Sequence, residues 1–193
     1  MSATATCPPA ETTRHRVDVA FGMAIFIGAW SMAFLTLFLS FLIIRHRQPQ
    51  WPPPGVMLPS LGLAAAGTAV LLASSVALHA ALRRLRAGAR GFSARWAAGL
   101  LLALVFAGLQ TALWTGTWRA GAYPDSGIYE GLFYMLTWFH GAHVACGLVA
   151  LLWVAGAAAR AGAPRLSTAS SVAVFWHFVD ALWLVLFVGF FLV

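Results

Sequence analysis

Charge is scarce in this chain, and lysine is absent. Only 9% of its 193 residues are charged, and the basic residues other than histidine are all arginine. A soluble domain of this size carries roughly 25% charged residues to cover its surface. With 61% hydrophobic residues and a mean hydropathy of +0.83, most of the outer surface must face lipid. The composition therefore excludes a soluble enzyme.

Cysteine and acidic residues are also few. One cysteine, Cys7, falls in the N-terminal tail and the other, Cys146, inside a hydrophobic run, so they cannot form a disulfide scaffold. No cysteine or carboxylate cluster suits a metal ion. The net charge of +7 does not indicate nucleic-acid binding, because the arginines lie between apolar runs instead of along one face.

Five apolar runs are long enough to cross about 30 Å of hydrocarbon at 1.5 Å per residue. The predicted spans cover residues 20–44, 56–82, 96–118, 129–157 and 171–193. Loops rich in proline, glycine or arginine separate them. The sequence therefore predicts an all-α integral membrane protein, a bundle of five transmembrane helices. Residues 1–19 are predicted to form a cytoplasmic tail, and residues 20–193 the membrane domain.

The distribution of arginine predicts the orientation. If the N-terminus is cytoplasmic, the tail and the second and fourth loops place nine arginines inside, against three outside. The positive-inside rule favours this arrangement. We therefore expect a cytoplasmic N-terminus and a periplasmic C-terminus.

Polar side chains deep in three of the spans need partners. They are Gln110, Thr137, His140, His143, His177 and Asp180. Placing an acid such as Asp180 at the centre of a transmembrane helix costs on the order of 2.5–3.5 kcal/mol, so the carboxylate should face protein. His177 lies three residues before it and projects from the same face of the helix. His143 is predicted to lie at a similar depth, which makes a His143–Asp180 contact geometrically possible.

Three interpretations of these residues remain open. The first is a hydrogen-bonded network that fixes helix packing, and we favour it because His177 already supplies Asp180 with a neighbour. Haem ligation is the second, with His177 facing His140 or His143. A proton relay is the third, although a relay needs a continuous chain of groups and only one acid lies deep in any span.

Small residues recur at helical spacing in two spans. Gly108, Ala112 and Gly116 form an i, i+4 stripe in the third, and Gly141 and Ala145 repeat the spacing in the fourth. Such spacing is typical of close contact between transmembrane helices. In the second span, the Ser74-Ser75 pair is suited to bonding a neighbouring helix or its own backbone.

Two long motifs resemble those of haem–copper oxidase subunit III. The run FYMLTWFHGAHV at residues 133–144, followed by Gly147, is similar to that family's "lTgFHGxHVxxG" signature. The run FWHFVDALW at residues 175–183 is similar to its "WHFVDxxW". The proline loop after Trp51, the serine pair and Gln110 follow the family's order. The aromatic residues within these motifs and the loop are Trp51, Phe139, Trp176 and Trp183.

The resemblance implies a fold and a role. Subunit III exists in a seven-helix form and in a five-helix form, and this chain resembles the shorter one. The family's subunit has no redox centre, packs on subunit I, binds phospholipid, and supports assembly and proton uptake. The haem and copper are expected in partner subunits. The implied complex is a respiratory terminal oxidase of the bacterial cytoplasmic membrane, which passes electrons from cytochrome c or quinol to oxygen and translocates protons.

Two departures and two alternatives accompany this resemblance. Trp30 and Leu113 stand where the family usually has acids in the first and third spans, so roles that depend on those acids do not carry over. A subunit III-like accessory protein of nitric oxide reductase would share the motifs. A small membrane haem-b cytochrome or a transporter is the alternative from another functional class.

Overall fold

Five long helices make up the described part of the chain. The structure, a computed structural model, describes the backbone of residues 10–162 and 164–192 and the side chains of residues 21–160, 162 and 164–192. The helices are α1 (Ala10–Arg47), α2 (Leu61–Arg86), α3 (Phe92–Arg119), α4 (Ile128–Ala161) and α5 (Leu166–Phe187), which a π-helical turn continues over Val188–Leu192. All five are long and apolar enough to cross a membrane, and no strand occurs among these residues. The predicted all-helical class with five spans is confirmed.

The first helix begins earlier than the predicted span. Because α1 starts at Ala10, residues 10–19 of the predicted tail continue the first span as helix. Residues 1–9 of that tail, with Cys7, lie outside the described residues.

The second helix begins later than predicted. It starts at Leu61, five residues after the predicted Val56. The Ser60 hydroxyl oxygen accepts a hydrogen bond from the backbone N–H of Leu63 at 3.4 Å, which satisfies one of the free donors of the first turn. Pro59 falls within the predicted second span, but it precedes the Ser60 cap and therefore lies outside α2.

A glycine sets the close approach of α2 to α3. A Cβ atom added at Gly99 would stand 2.7 Å from Cγ of Leu78 and 3.3 Å from the Leu78 backbone nitrogen. The Ser74 hydroxyl donates a hydrogen bond to the Gly99 carbonyl oxygen at 2.9 Å. Direct contact between helix backbones is what a small residue permits in a membrane. Sequence reasoning did not select Gly99.

The predicted packing stripe on α3 lies elsewhere on that helix. Gly108, Ala112 and Gly116 are all exposed, and a Cβ atom added at either glycine would meet nothing within 4 Å. Gly108 follows Gly99 by about two and a half helical turns, which places it on the opposite side of α3. The prediction that this stripe contacts a neighbouring helix is therefore wrong within this chain.

On α4, two glycines lie under tryptophan rings. A Cβ atom at Gly141 would come within 2.6 Å of Cη2 of Trp114, and one at Gly147 within 2.9 Å of Cε3 of Trp176. Ala145, the partner of Gly141 in the predicted stripe, is exposed. The glycines of the long α4 motif therefore make room for aromatic side chains from α3 and α5.

The helices differ in how much of their surface the chain covers. Half of the most apolar segment of α5 is buried, against 11% for α1. The outward side of α1 carries a row of large apolar residues, among them Phe21, Ile25, Met32, Leu35, Leu39 and Ile43. Bulky side chains of this kind suit contact with lipid.

The Gly99 contact predicts the effect of a single added methyl group. We expect Gly99→Ala to lower the free energy of unfolding by about 1–3 kcal/mol, the usual cost of overpacking, because the backbone nitrogen of Leu78 cannot move aside as a flexible side chain could. Gly108→Ala is the matched control and should leave the stability unchanged or slightly raised. Unfolding of the purified chain in mixed micelles measures both. Equal stability of the two variants would contradict the proposed contact.

Candidate functional site

Asp180 lies at the centre of a polar link between α2 and α5. The Ser75 hydroxyl donates a hydrogen bond to Oδ2 of Asp180 at 2.6 Å. Nδ1 of His177 lies 3.0 Å from the same hydroxyl oxygen. Because the serine proton points to the carboxylate, its oxygen accepts from Nδ1–H of the imidazole, which fixes the tautomer of His177. The acid is only 6% exposed, so one hydroxyl connects a buried carboxylate to its neighbouring histidine.

His79 extends this arrangement toward the surface. It follows Ser75 by one helical turn and is exposed, and its ring centroid lies 6.5 Å from that of His177. The i, i+4 spacing of Ser75 and His79 is the signal from which the sequence could have placed both on the side of α2 that faces His177. Sequence reasoning did not select His79.

The possible contact between His143 and Asp180 is not made. Nδ1 of His143 donates to the carbonyl oxygen of Phe139 at 2.7 Å, and its Nε2 has no hydrogen-bond partner. The imidazole lies edge-on to Trp30, with 4.3 Å between ring centroids, and 5.3 Å from the ring of Phe34. His143 therefore faces α1 instead of α5. Hydropathy and depth could not reveal this rotation.

His140 belongs to a separate aromatic cluster. Its side chain is fully buried, neither ring nitrogen has a hydrogen-bond partner, and its ring centroid lies 5.5 Å from that of Trp183. Nε1 of Trp183 donates to the Thr68 hydroxyl at 2.9 Å, and that hydroxyl donates to the carbonyl oxygen of Ala64 at 2.8 Å. Trp183 thus bridges α5 to α2 while covering His140.

Two of the histidines considered for haem ligation lie in different surroundings. The ring of His143 packs against Trp30 of α1, whereas Nδ1 of His177 bonds to Ser75 of α2. Among the described residues, no group of three or more metal-ligating side chains lies together. The hydrogen bonds and ring contacts of these side chains join one helix to another.

Thr137 and Gln110 lie along the contact between α3 and α4. The Thr137 hydroxyl donates to the carbonyl oxygen of Phe133 at 2.7 Å and accepts from Nε1 of Trp114 at 3.1 Å. Gln110 is 5% exposed, and its Nε2 has no hydrogen-bond partner. Gln110 lines a groove of about 200 Å³ between the two helices. It therefore lies outside the network to which the sequence assigned it.

The other aromatic residues of the motifs pack against neighbours within the chain. So do Trp30 and Leu113, which stand where the family usually has acids. Trp51 contacts Tyr129 at 5.4 Å between ring centroids, and Phe139 contacts Phe34 at 4.9 Å. Trp176 is fully buried, and Leu113 is 2% exposed. With Trp30 against His143, both positions that depart from the family's acids hold side chains that pack against their neighbours.

Comparison with known proteins identifies a family. The family model described as cytochrome c oxidase subunit III matches residues 1–193. A protein of Synechocystis sp. named "Cytochrome c oxidase subunit 3" is 30% identical over 87% of this chain and 72% of its own length. A relative from Mycobacterium bovis named "Probable cytochrome c oxidase subunit 3" is 32% identical over 96% of both chains. One from the plant Marchantia polymorpha, also named "Cytochrome c oxidase subunit 3", is 32% identical over 90% of this chain and 68% of its own length.

These matches agree with the features of the fold and of the polar network. The five apolar helices account for a multi-pass membrane subunit. Residues of the two long motifs join helices: Asp180 and Trp183 of α5 bond to α2, and the ring of His140 on α4 lies against Trp183. The match to the family covers the whole chain, and the chain belongs to the cytochrome c oxidase subunit III family.

Proposed function

We propose that the chain is the structural subunit that packs on subunit I of a bacterial terminal oxidase, and that it supports assembly and proton uptake there. As a subunit III it belongs to a multi-subunit oxidoreductase of the respiratory chain and has no catalytic centre of its own. The observation that carries the proposal is the hydrogen bond from Ser75 to Asp180. Because this bond joins α2 to α5, it gives the buried acid a structural role. The relatives' names favour an oxidase over the nitric oxide reductase accessory protein and the haem-b cytochrome.

The arginines support a membrane orientation. Arg83, Arg84 and Arg95 line one cavity of about 410 Å³ where α2 ends and α3 begins. Clusters of arginine next to a membrane span favour the cytoplasmic side and its anionic lipids. We therefore infer that this end of the bundle faces the cytoplasm, as in the bacterial inner membrane, with the N-terminus on the same side.

A groove between α1 and α5 supports the binding of phospholipid. Its volume is about 650 Å³, and it combines Arg86 and three serines with apolar side chains such as Ile27 and Val174. The three serines are Ser167, Ser170 and Ser171. A cationic group with hydroxyls at one end and apolar walls beyond suits a phosphate headgroup and its acyl chain. We infer that a membrane phospholipid occupies this groove.

Purification of the native complex through this chain tests the proposed subunit role. We expect mild detergent to recover a large haem-bearing subunit together with the chain, shown by mass spectrometry and by a reduced-minus-oxidised difference spectrum. Because the haem and copper belong to the partners, the haem signal should disappear when the chain is separated from them. A chain that purifies alone and keeps haem would overturn the proposal, and His140, His143 and His177 would become candidate ligands.

Replacement of the buried acid tests whether its role is structural. Asp180→Leu removes the acceptor of the Ser75 hydroxyl, so we expect a cost of about 1–3 kcal/mol in chain stability. The yield of intact complex should fall several-fold while the turnover of each remaining complex is unchanged. Asp125→Leu, at an exposed loop acid, is the control and should assemble normally. Normal assembly of the Asp180 variant together with lost proton translocation would show that the structural assignment is wrong.

A further inference from the structure

One membrane-facing side of the bundle combines small side chains with a buried polar group that has no partner. Small residues alone do not distinguish it, because Ala65, Ala66, Ala69 and Ala73 are exposed on α2 as well. Five exposed residues in the second half of α3 define what we call the small-residue face, and the exposed Trp118 and Arg119 follow it at the end of the helix. The five are Gly108, Thr111, Ala112, Thr115 and Gly116. Ala142, Ala145 and Cys146 of α4 are exposed beside them. The outward side of α1, by contrast, carries bulky apolar residues along its length.

The floor of the groove beside this face contains a polar group without a partner. Gln110 is only 5% exposed, and its Nε2 makes no hydrogen bond. It lines the groove together with Thr111, Trp114, Gly141 and Ala145. The threonines of the face need no outside partner, because the hydroxyls of Thr111 and Thr115 donate to carbonyl oxygens of their own helix at 2.8 and 3.1 Å.

The depth of Gln110 determines what could satisfy its amide. It precedes Arg119, at the end of α3, by nine residues, or about 13 Å along the helix, which places it within the hydrocarbon. An acyl chain offers no hydrogen-bond acceptor, so an unsatisfied amide there costs several kcal/mol in lipid. A neighbouring helix that presents a backbone carbonyl or a polar side chain does offer one.

Small residues beside an unsatisfied amide are the features expected where a second transmembrane helix packs. We propose that the small-residue face and the groove beside it bind a transmembrane helix of another oxidase subunit. That helix would carry small residues at its point of closest approach and would offer a hydrogen-bond acceptor to the Gln110 amide. The proposal rests on the subunit role proposed above and assigns that role to one side of the bundle.

Adding bulk to the small-residue face tests the proposal. Ala112→Leu places a larger side chain on an exposed site, so the chain itself should fold normally while the partner helix can no longer approach. We expect at least a fivefold drop in haem-bearing subunit recovered per chain. Ala69→Leu makes the same change among the exposed alanines of α2, a helix in which no described buried polar side-chain atom lacks a hydrogen-bond partner. This variant should recover the complex as the wild type does. Full recovery with Ala112→Leu, or equal losses with both variants, would overturn the proposal.

Gln110→Leu adds a test in which two measurements should move in opposite directions. In the separated full chain, removal of an unpaired buried amide should raise the melting temperature. In the complex, loss of the donor should lower the recovery of the partner. A purely structural role for Gln110 inside this chain would instead lower the melting temperature, and unchanged recovery of the partner would also contradict the docking site.

The wild-type purification separates this proposal from the function on which it rests. If the wild-type chain recovers no haem-bearing subunit, the proposed function fails. If the wild type succeeds and Ala112→Leu succeeds equally, only the docking site fails. Cys146, exposed beside Ala145, offers a site for a photo-crosslinker in a Cys7→Ser background. A crosslink to a different subunit would support the proposal, whereas a crosslink to a second copy of this chain, or to lipid alone, would overturn it.

Discussion

Hydrocarbon supplies no hydrogen-bond partner, so a polar group within a span is stabilised when it bonds to another part of the protein. Oδ2 of Asp180 finds such a partner in the hydroxyl of Ser75, which lies on a different helix and also contacts His177. In the same pair of helices, Nε1 of Trp183 donates to Thr68. Two polar contacts thus join α2 to α5, and they fix the rotation of both helices about their axes.

Close packing of small residues is the second constraint, and it depends on the same rotation. With Ser75 facing α5, its neighbour Ser74 reaches the carbonyl oxygen of Gly99 on α3, where no larger residue would fit. On α4, Gly147 leaves room for the ring of Trp176 from α5. Several buried polar atoms of the described residues have no hydrogen-bond partner, and the amide nitrogen of Gln110 is the one of them that belongs to the groove between α3 and α4. We assign this side of the bundle to a partner helix for that reason.

Sequence reasoning recovered what depends on length and hydropathy and missed what depends on helix rotation. The five spans follow from apolar runs, and the observed helices differ from the predicted spans only at their ends. One example is α2, which begins after the Ser60 cap. The residues that carry the polar contacts were recognisable, because an acid inside a span needs a partner. The sequence named His177 as the neighbour of Asp180 and His143 as a possible contact, and it did not select Ser75, because helix rotation decides which side chains meet. The same uncertainty misplaced the packing face of α3, where Gly99 and Gly108 lie on opposite sides.

A double-mutant cycle between Ser75 and Asp180 tests the central claim most directly. Ser75→Ala, Asp180→Leu and the double variant would be unfolded in mixed micelles alongside the wild type, and the coupling free energy taken from the four stabilities. Direct hydrogen bonding across helices in a membrane predicts a coupling of about 0.6–1.7 kcal/mol. Strictly additive losses, with no coupling between the two positions, would contradict the claim that this bond holds α2 to α5.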